Sequence, residues 1–491
     1  MSDKDVIFDR QVIDCLGEIT PPEGEISRIN PWSKPIGFIT WGFILTTLHL
    51  NFAYLQYILP TIGVTLIFFG FRSLRKENKY FTALWIFSII KLFLQLAELV
   101  RVSSPLNVAD YPVLAIGTVM IAFQIIMFLV FQAALNKVFE KAGKIVQEKP
   151  LLWASVWTLA VYLIALSPFS SSWLVFIPMM ICYYIIVRSL FRVGDQLDDT
   201  GYILTNAPVS ISNRTFGWAY CLIALALVIT CSIYYNHLQL DPQAYEPPRI
   251  TEARQRLLDL DFPSEALQYL KDEDVELLRE AKDVEVSSKL LMFDPKKIEH
   301  RESFGNGTYI SYTYEPGEKN MEVTTIYIEM PENLLYVMQY FTWQGGTPVW
   351  QDGLLIAGEN KAEDKEIVSS GLFYEKKGTQ YIADFPRLAC DRYTYNSFFG
   401  EDYSIVISGA LSYPFGSERQ GGYVLYRYTV ETDSDLFGSH AYFSYVHLSS
   451  PLRIPYARTD DLIMRGAYTF YDELQQHHTT YDSLYYRETN R

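Results

Sequence analysis

Cysteine is scarce in this chain, and the motifs of the common enzyme classes are absent. Five cysteines occur among 491 residues, and only Cys390 lies in the second half. One thiol cannot form an intramolecular disulfide, so that half must be held by its own hydrophobic core. The sequence also lacks the G-x-S-x-G, P-loop, H-E-x-x-H, C-x-x-C and G-x-G-x-x-G patterns. We therefore expect no cofactor, and no residue set predicts a catalytic centre.

An excess of basic residues is also lacking, since the formal charge is −15. Of the 41 basic and 56 acidic residues, 17 and 15 lie in residues 1–235. The first half is thus near neutral and the second is strongly acidic, which does not favour nucleic acid as a partner. "ETDSDLFG" begins like a calcium loop, but Phe437 occupies a position that needs an oxygen ligand and Ser444 occupies the position of the bidentate glutamate. We therefore predict no metal site.

Long hydrophobic runs, in contrast, recur through the first half of the chain. Each approaches the roughly 20 residues that cross a bilayer. We predict seven spans, at residues 36–50, 53–71, 80–100, 111–135, 151–167, 172–187 and 215–235. The first two are short and are joined by a tight turn near His49 and Asn51. A single re-entrant or kinked element at Pro60 is the alternative for that pair.

Basic residues in the loops predict the orientation of these spans. The loops after spans two, four and six are rich in lysine and arginine, whereas the opposite loops contain only Arg101. The amino terminus is then cytoplasmic and the acidic carboxyl half is extracellular. Residues 1–34 form an amphipathic cytoplasmic tail, which either lies on the lipid bilayer or docks a cytoplasmic signalling protein.

The opening of the helical region carries a resemblance. "INPWSKPIGFITWGFILTTLHLNFAYLQYILPTIGVTLIFFGFRSLRKENKYF", about residues 30–81, resembles the opening of uncharacterised multispan membrane proteins of clostridia-like Gram-positive bacteria. The resemblance contains no chemical motif and implies no activity. It implies only a location in the cytoplasmic membrane of a Gram-positive cell.

The second half changes its hydrophobic period along the chain. Residues 236–250 contain prolines and predict a stiff linker. Residues 251–300 show apolar positions at helical spacing and predict a short helical neck. Residues 301–491 contain β-branched and aromatic runs with a period of two, broken by turn residues. The predicted fold is therefore a polytopic helical membrane domain, a short neck and an extracellular antiparallel β domain, either a sandwich or a jelly roll.

Span three carries a stripe of polar residues within an apolar helix. Ser88, Lys91, Gln95 and Glu98 share one face at 100° per residue, and Gln124 of span four is a candidate partner across the helices. Because a lysine exposed to lipid costs about 2.5 to 3.5 kcal/mol, the stripe is expected to face other helices or water. Gln95 lies one turn from both charges and could bridge them. A structural polar clasp, a signalling switch and an ion or proton path all remain open.

The segment "WQGGTPVWQDGLL" is the candidate ligand contact of the β domain. It holds Trp343, Gln344, Trp350, Gln351 and Asp352. Exposed aromatics beside polar groups could stack on a sugar ring or grip a peptide, but the two tryptophans could equally fill the core. We predict a membrane-embedded sensor or binding protein that recognises an envelope glycan or peptide, or an environmental ligand, and signals through a cytoplasmic partner. A transporter or ion-conducting protein using the stripe, and an envelope enzyme with an outer site, are the alternatives.

Overall fold

The computed structural model describes residues 31–484, except 49, 110–111, 145–147, 169–171, 203, 206, 305–306, 346–347, 359–363, 398–399, 431–438, 466–473 and 479–481. The predicted amphipathic tail and the acidic turn at 431–438 therefore lie outside the described residues, apart from the last four positions of the tail. The chain folds into two units. The first contains residues 1–102 and 109–229, and the second contains residues 103–108 and 230–491.

The hydrophobic runs of the first half form helices close to their predicted positions. These are α1 (Ser33–Thr47), α2 (Leu55–Leu74), α3 (Lys79–Val102), α4 (Val113–Lys141), α5 (Pro150–Ala165), α6 (Trp173–Asp198) and α7 (Asn213–Tyr235). In the part of the chain described, five of them, α2, α3, α4, α6 and α7, are long and apolar enough to cross a membrane. The helical region is thus confirmed, while the insertion of all seven helices in a membrane stays a prediction.

The first predicted pair of spans forms two separate helices. α1 ends at Thr47, and α2 begins at Leu55 and runs through Pro60. Glycines let their backbones approach closely, because a Cβ placed on Gly63 would lie 2.8 Å from the carbonyl oxygen of Gly42. A Cβ on Gly70 would likewise lie 2.7 Å from the carbonyl oxygen of Pro35. A hairpin of two tightly packed helices therefore replaces the alternative of one kinked element.

The second unit is dominated by antiparallel strands. They are β1 (Gln243–Ala244), β2 (Asp283–Met292), β3 (Lys296–Phe304), β4 (Gly307–Glu315), β5 (Asn320–Glu329), β6 (Leu334–Gln344), β7 (Asp352–Gly358), β8 (Glu366–Lys376), β9 (Thr379–Ala383), β10 (Arg387–Ser397), β11 (Gly400–Leu411), β12 (Glu418–Thr429), β13 (Ser439–Leu448), β14 (Leu474–His478) and β15 (Asp482–Leu484). One sheet has the order β1-β9-β8-β12-β6-β5-β2, and another has β10-β11-β7-β13-β14, with β15 also pairing with β13. β3 and β4 form a hairpin of their own.

The two larger sheets share one hydrophobic core. Phe341 on β6 and Val424 on β12 cluster with Leu354 on β7, Ile407 on β11 and Phe443 on β13, and all five are buried. Alternating residues of each strand supply this core, as the period of two predicts. The sequence prediction of an antiparallel β domain is therefore confirmed, and its form is a sandwich.

The segment predicted as a short helical neck packs on the sandwich itself. The segment forms α8 (Glu252–Asp259), α9 (Ser264–Leu267) and α10 (Asp272–Leu277). Leu257 and Leu267 cluster with Met338 and Leu425, which lie on β6 and β12 of the seven-stranded sheet. The long strands also begin earlier than residue 301, with β2 at Asp283–Met292. β2 escaped prediction because it is an edge strand whose burial does not alternate cleanly.

The predicted linker is also part of the second unit rather than a free spacer. β1 pairs with β9, with Gln243 opposite Ile382 and Ala244 opposite Tyr381. The Leu238 N–H donates to the hydroxyl of Ser412 at 3.1 Å. The chain therefore joins the β domain directly after α7.

Candidate functional site

The lysine of span three has the partner across the helices that the sequence predicts. Lys91 Nζ on α3 donates to Gln124 Oε1 on α4, with 2.5 Å between the two atoms. Ser88, one turn earlier, is fully buried and donates to the carbonyl oxygen of Trp85 at 2.6 Å. α3 and α4 are thus joined by a polar contact in the middle of their apolar faces. Its functional role stays a prediction.

The other two stripe residues do not form a relay with Lys91. Gln95 Nε2 turns to Thr61 Oγ1 on α2 at 3.2 Å. Glu98 is exposed and forms a two-point ion pair with Arg101, at 2.6 and 2.7 Å. The expectation that Gln95 bridges Lys91 and Glu98 was therefore wrong, because the three side chains have separate partners.

A cavity of about 560 Å³ opens beside Lys91 in the first unit. It is lined by residues of α1, α3, α4, α5 and α6, with the residue just after α1, and its walls are mainly hydrocarbon and aromatic. Lys91 and Gln124 are both part of this lining. The volume falls within the range of about 300 to 1,000 Å³ that is typical of small-molecule sites. Sequence reasoning found the lysine but not the cavity.

The tryptophan segment of the β domain is largely internal. Trp343 is 7% exposed, and its ring lies 4.8 Å from Phe293 and 5.1 Å from His447, centroid to centroid. Trp350 is half-buried and packs edge-on against Phe415 at 5.2 Å. The alternative that Trp343 belongs to the core is therefore the correct one.

The polar members of the segment divide between the surface and the interior. Gln344 is exposed and donates to Glu322 at 2.7 Å. Gln351 and Asp352, in contrast, are fully buried. The structure therefore does not bring the five predicted contact residues onto one exposed surface.

Asp352 is the acceptor of a buried polar cluster. Its carboxylate accepts from the Tyr445 hydroxyl at 2.9 Å, from the Leu448 N–H at 2.9 Å and from His447 Nδ1 at 3.0 Å. Because a carboxylate only accepts, the His447 proton is on Nδ1. Burial holds the pKa of the Tyr445 phenol well above its usual value, and the charge of Asp352 raises it further. Tyr445 therefore stays a donor at neutral pH.

Gln351 links a second buried cluster to the residue that follows α7. The Gln351 N–H donates to the carbonyl oxygen of Asn236 at 2.6 Å. The Asn236 side chain accepts from Arg453 Nη2 at 2.9 Å and donates to the carbonyl oxygen of Pro451 at 2.9 Å. Asn236, Gln351 and Arg453 are all fully buried. We call these three residues the junction cluster.

A second segment contiguous with the helices joins the same unit. Residues 103–108 connect α3 to α4 and belong to the second unit. Asn107 Nδ2 donates to the carbonyl oxygen of Tyr456 at 2.8 Å, and the Tyr456 hydroxyl accepts from Gln351 Nε2 at 3.3 Å. The junction cluster is thus hydrogen-bonded to the segment after α7 and, through Tyr456, to the segment between α3 and α4.

Sequence reasoning missed His447, Asn236 and Arg453. Each lies about 100 residues or more from Asp352 or Gln351 along the chain, and none forms a local motif with them. The polar pair Gln351-Asp352 inside an aromatic segment was the available signal. Among the described residues, no group of three His, Cys, Asp or Glu side chains could hold a metal ion.

Comparisons with known proteins add no family. No family model and no curated protein matches the chain. One solved structure, titled "Heparinase III-BT4657 gene product, Methylated Lysines", is 10% identical, with 98% of this chain and 77% of that chain covered and a TM-score of 0.13. A score this low carries no argument about fold or activity.

Proposed function

We propose that the chain is a membrane-embedded sensor or binding protein of a Gram-positive cytoplasmic membrane. In this proposal the β domain is extracellular and recognises an envelope glycan or peptide, or an environmental ligand. The helices then pass occupancy to a cytoplasmic signalling partner. The basic loops after spans two, four and six support the orientation.

The observation that carries the proposal is the junction cluster. Asn236 directly follows α7, yet it is fully buried and hydrogen-bonded by residues of the β domain. Asn107, between α3 and α4, is held by the same unit. A rearrangement of the β domain around these residues would act on α3, α4 and α7 at once, whereas a flexible linker would absorb it.

The alternatives have weaker support. An ion path along span three needs polar groups that succeed one another, but Lys91, Gln95 and Glu98 each turn to a different partner. An enzyme site using Asp352 needs an accessible carboxylate, and this one is buried and satisfied by three donors. The sensor is therefore the function that the geometry favours.

The decisive experiment loosens the junction without changing the ligand-binding surface. A four-residue Gly-Ser linker is inserted between Tyr235 and Asn236 of the full chain. The matched control carries the same insertion at Gly378, in the exposed turn between β8 and β9, where open space surrounds the backbone. Cells with each variant are exposed to purified peptidoglycan fragments and stem peptides, and their transcripts are compared.

We expect the control to respond like the unmodified chain and the junction insertion to abolish the response while fragments still bind. A junction insertion that responds normally would contradict the coupling. Failure of every fragment to bind the full chain would contradict the recognition role. Thr379→Cys in a cysteine-free chain tests orientation, because a membrane-impermeant maleimide should label it on intact cells.

A further inference from the structure

The cavity of the first unit is lined by one charged side chain among mostly apolar residues and a few neutral polar ones. Lys91 is the only Asp, Glu, Lys, Arg or His among the described residues that line it. The hydroxyl groups of Thr40 and Thr46 on its wall donate to the carbonyl oxygens of Ile36 and Gly42 on their own helix, at 2.9 and 3.0 Å. Lys91 is therefore the one charged donor among the described residues of this wall, beside the neutral donors of Gln124, Thr158 and Tyr183.

The Lys91 ammonium lies next to a neutral acceptor rather than a counter-ion. It has three N–H donors, and it donates to Gln124 Oε1 at 2.5 Å. No carboxylate pairs with it among the residues that the structure describes; Glu98, on the same helix, pairs with Arg101. Because an ammonium in apolar surroundings is costly without an anion, the site lacks the partner that would stabilise its charge.

The walls define the rest of the occupant. A peptide would leave its main-chain groups without partners against hydrocarbon walls. A phosphate headgroup would be better matched by arginine or several donors than by one ammonium. A molecule with one hydrocarbon chain and one carboxylate satisfies both features, because the chain fits the apolar walls and the carboxylate fits Lys91.

We infer that this cavity binds an anionic single-chain amphiphile, a fatty acid, with its carboxylate on Lys91 Nζ and its chain along the walls. Gln124, which also lines the cavity, accepts one of the ammonium N–H groups. This site is additional to the recognition role proposed for the β domain.

The test uses the full chain in nanodiscs of phosphatidylcholine, with empty nanodiscs as the baseline for partitioning. The probes are cis-parinaric acid and its methyl ester, which share one chain and differ in charge. Binding is measured by the fluorescence of the probe. We expect the protein to bind the acid about tenfold more tightly than the ester, equivalent to about 1.4 kcal/mol.

Variants locate the effect. Lys91→Met should bring the affinities for acid and ester together while keeping the ester bound, and Lys91→Arg should retain the preference for the acid. Gln95→Leu is the matched control, since Gln95 is on the same helix but faces Thr61 rather than the cavity. Val161→Trp fills the cavity and should weaken binding of both probes.

Three results would overturn the inference. Equal binding of acid and ester to the unmodified chain would exclude recognition of charge, and this comparison holds even if a variant fails to fold. A Lys91→Met chain that keeps the preference would place the anion elsewhere. Unchanged binding to Val161→Trp would place the hydrocarbon chain outside this cavity.

Discussion

Replacing Asp352 with alanine removes the acceptor that three buried donors share. The Tyr445 hydroxyl, the Leu448 N–H and His447 Nδ1 would each lose a partner at 2.9 to 3.0 Å. A buried donor left without a partner costs about 1 to 3 kcal/mol. Since such losses overlap, we expect Asp352→Ala to lower the local free energy of unfolding by about 4 kcal/mol.

Asp352→Asn should be milder. The asparagine keeps the volume and one oxygen, so the Leu448 N–H retains an acceptor, and the Tyr445 hydroxyl can rotate to accept from the new amide. His447 must then change its tautomer or lose its bond. We expect a loss of about 2 kcal/mol, which is the cost of one or two charge-assisted hydrogen bonds.

Hydrogen exchange of the full chain, read by mass spectrometry on peptides from β7 and β13, measures these changes within the β domain. Gln344→Ala is the matched control, because its contact with Glu322 is exposed and should be worth under about 0.5 kcal/mol. If Asp352→Ala and Gln344→Ala lowered protection equally, the buried cluster would not support the sandwich and the reasoning from burial would fail.

Three further predictions concern other parts of the molecule. Gly63→Leu should separate α1 from α2 and lower the stability by at least about 1 to 3 kcal/mol through overpacking. Gly117 has open space around it, so Gly117→Leu should melt at the same temperature as the unmodified chain in nanodiscs. Equal melting temperatures of both variants would exclude close packing of α1 and α2. Burial holds the pKa of three phenols well above the usual value, so their contribution to stability is present below pH of about 10 and is lost as the pH rises further, by about 4 kcal/mol per pH unit for all three. These are Tyr413, Tyr426 and Tyr445. Tyrosinate absorbance should therefore appear cooperatively with unfolding, and a gradual appearance in the folded protein would contradict this. Hydrogen bonds from the Lys319 N–H and, less strongly, the Glu318 N–H lower the pKa of the Asp294 carboxyl. The stabilisation by this carboxylate is present above pH of about 4 and is lost at lower pH. The difference in stability between the unmodified chain and Asp294→Asn should therefore narrow on acidification, and a constant difference would contradict this.

The sequence predicts elements in this chain better than it predicts their packing. Hydrophobic runs located the helices, and the period of two located most strands, because both signals are local. The apolar faces of α8, α9 and α10 were also visible, but the pattern does not say which surface covers them. The sequence around Leu257 would look the same if it packed only against other helices. In the structure it packs against Met338 of the sheet.

The same limit explains the outcome at the candidate sites. Lys91 and Gln124 could be paired in advance because two neighbouring apolar helices offer few polar partners. Gln351 and Asp352 could not be placed, because their partners lie about 100 residues or more away and any long polar side chain could have met them. Polar residues inside an aromatic segment are equally typical of a ligand surface and of a buried cluster.

Burial of the junction cluster argues for a mechanical rather than an adhesive role of the polar groups after α7. A contact that only tethered the β domain to the membrane would need a covalent chain and a spacer. Here Asn236 is instead enclosed, with its main chain held by Gln351 and its side chain by Arg453 and Pro451. Removing three hydrogen bonds to release it would cost several times the roughly 1 kcal/mol that one such bond contributes. Under the proposed sensor role, a small rearrangement of the sandwich around Asn236 would therefore reach the residue that follows α7 rather than being absorbed by a flexible spacer.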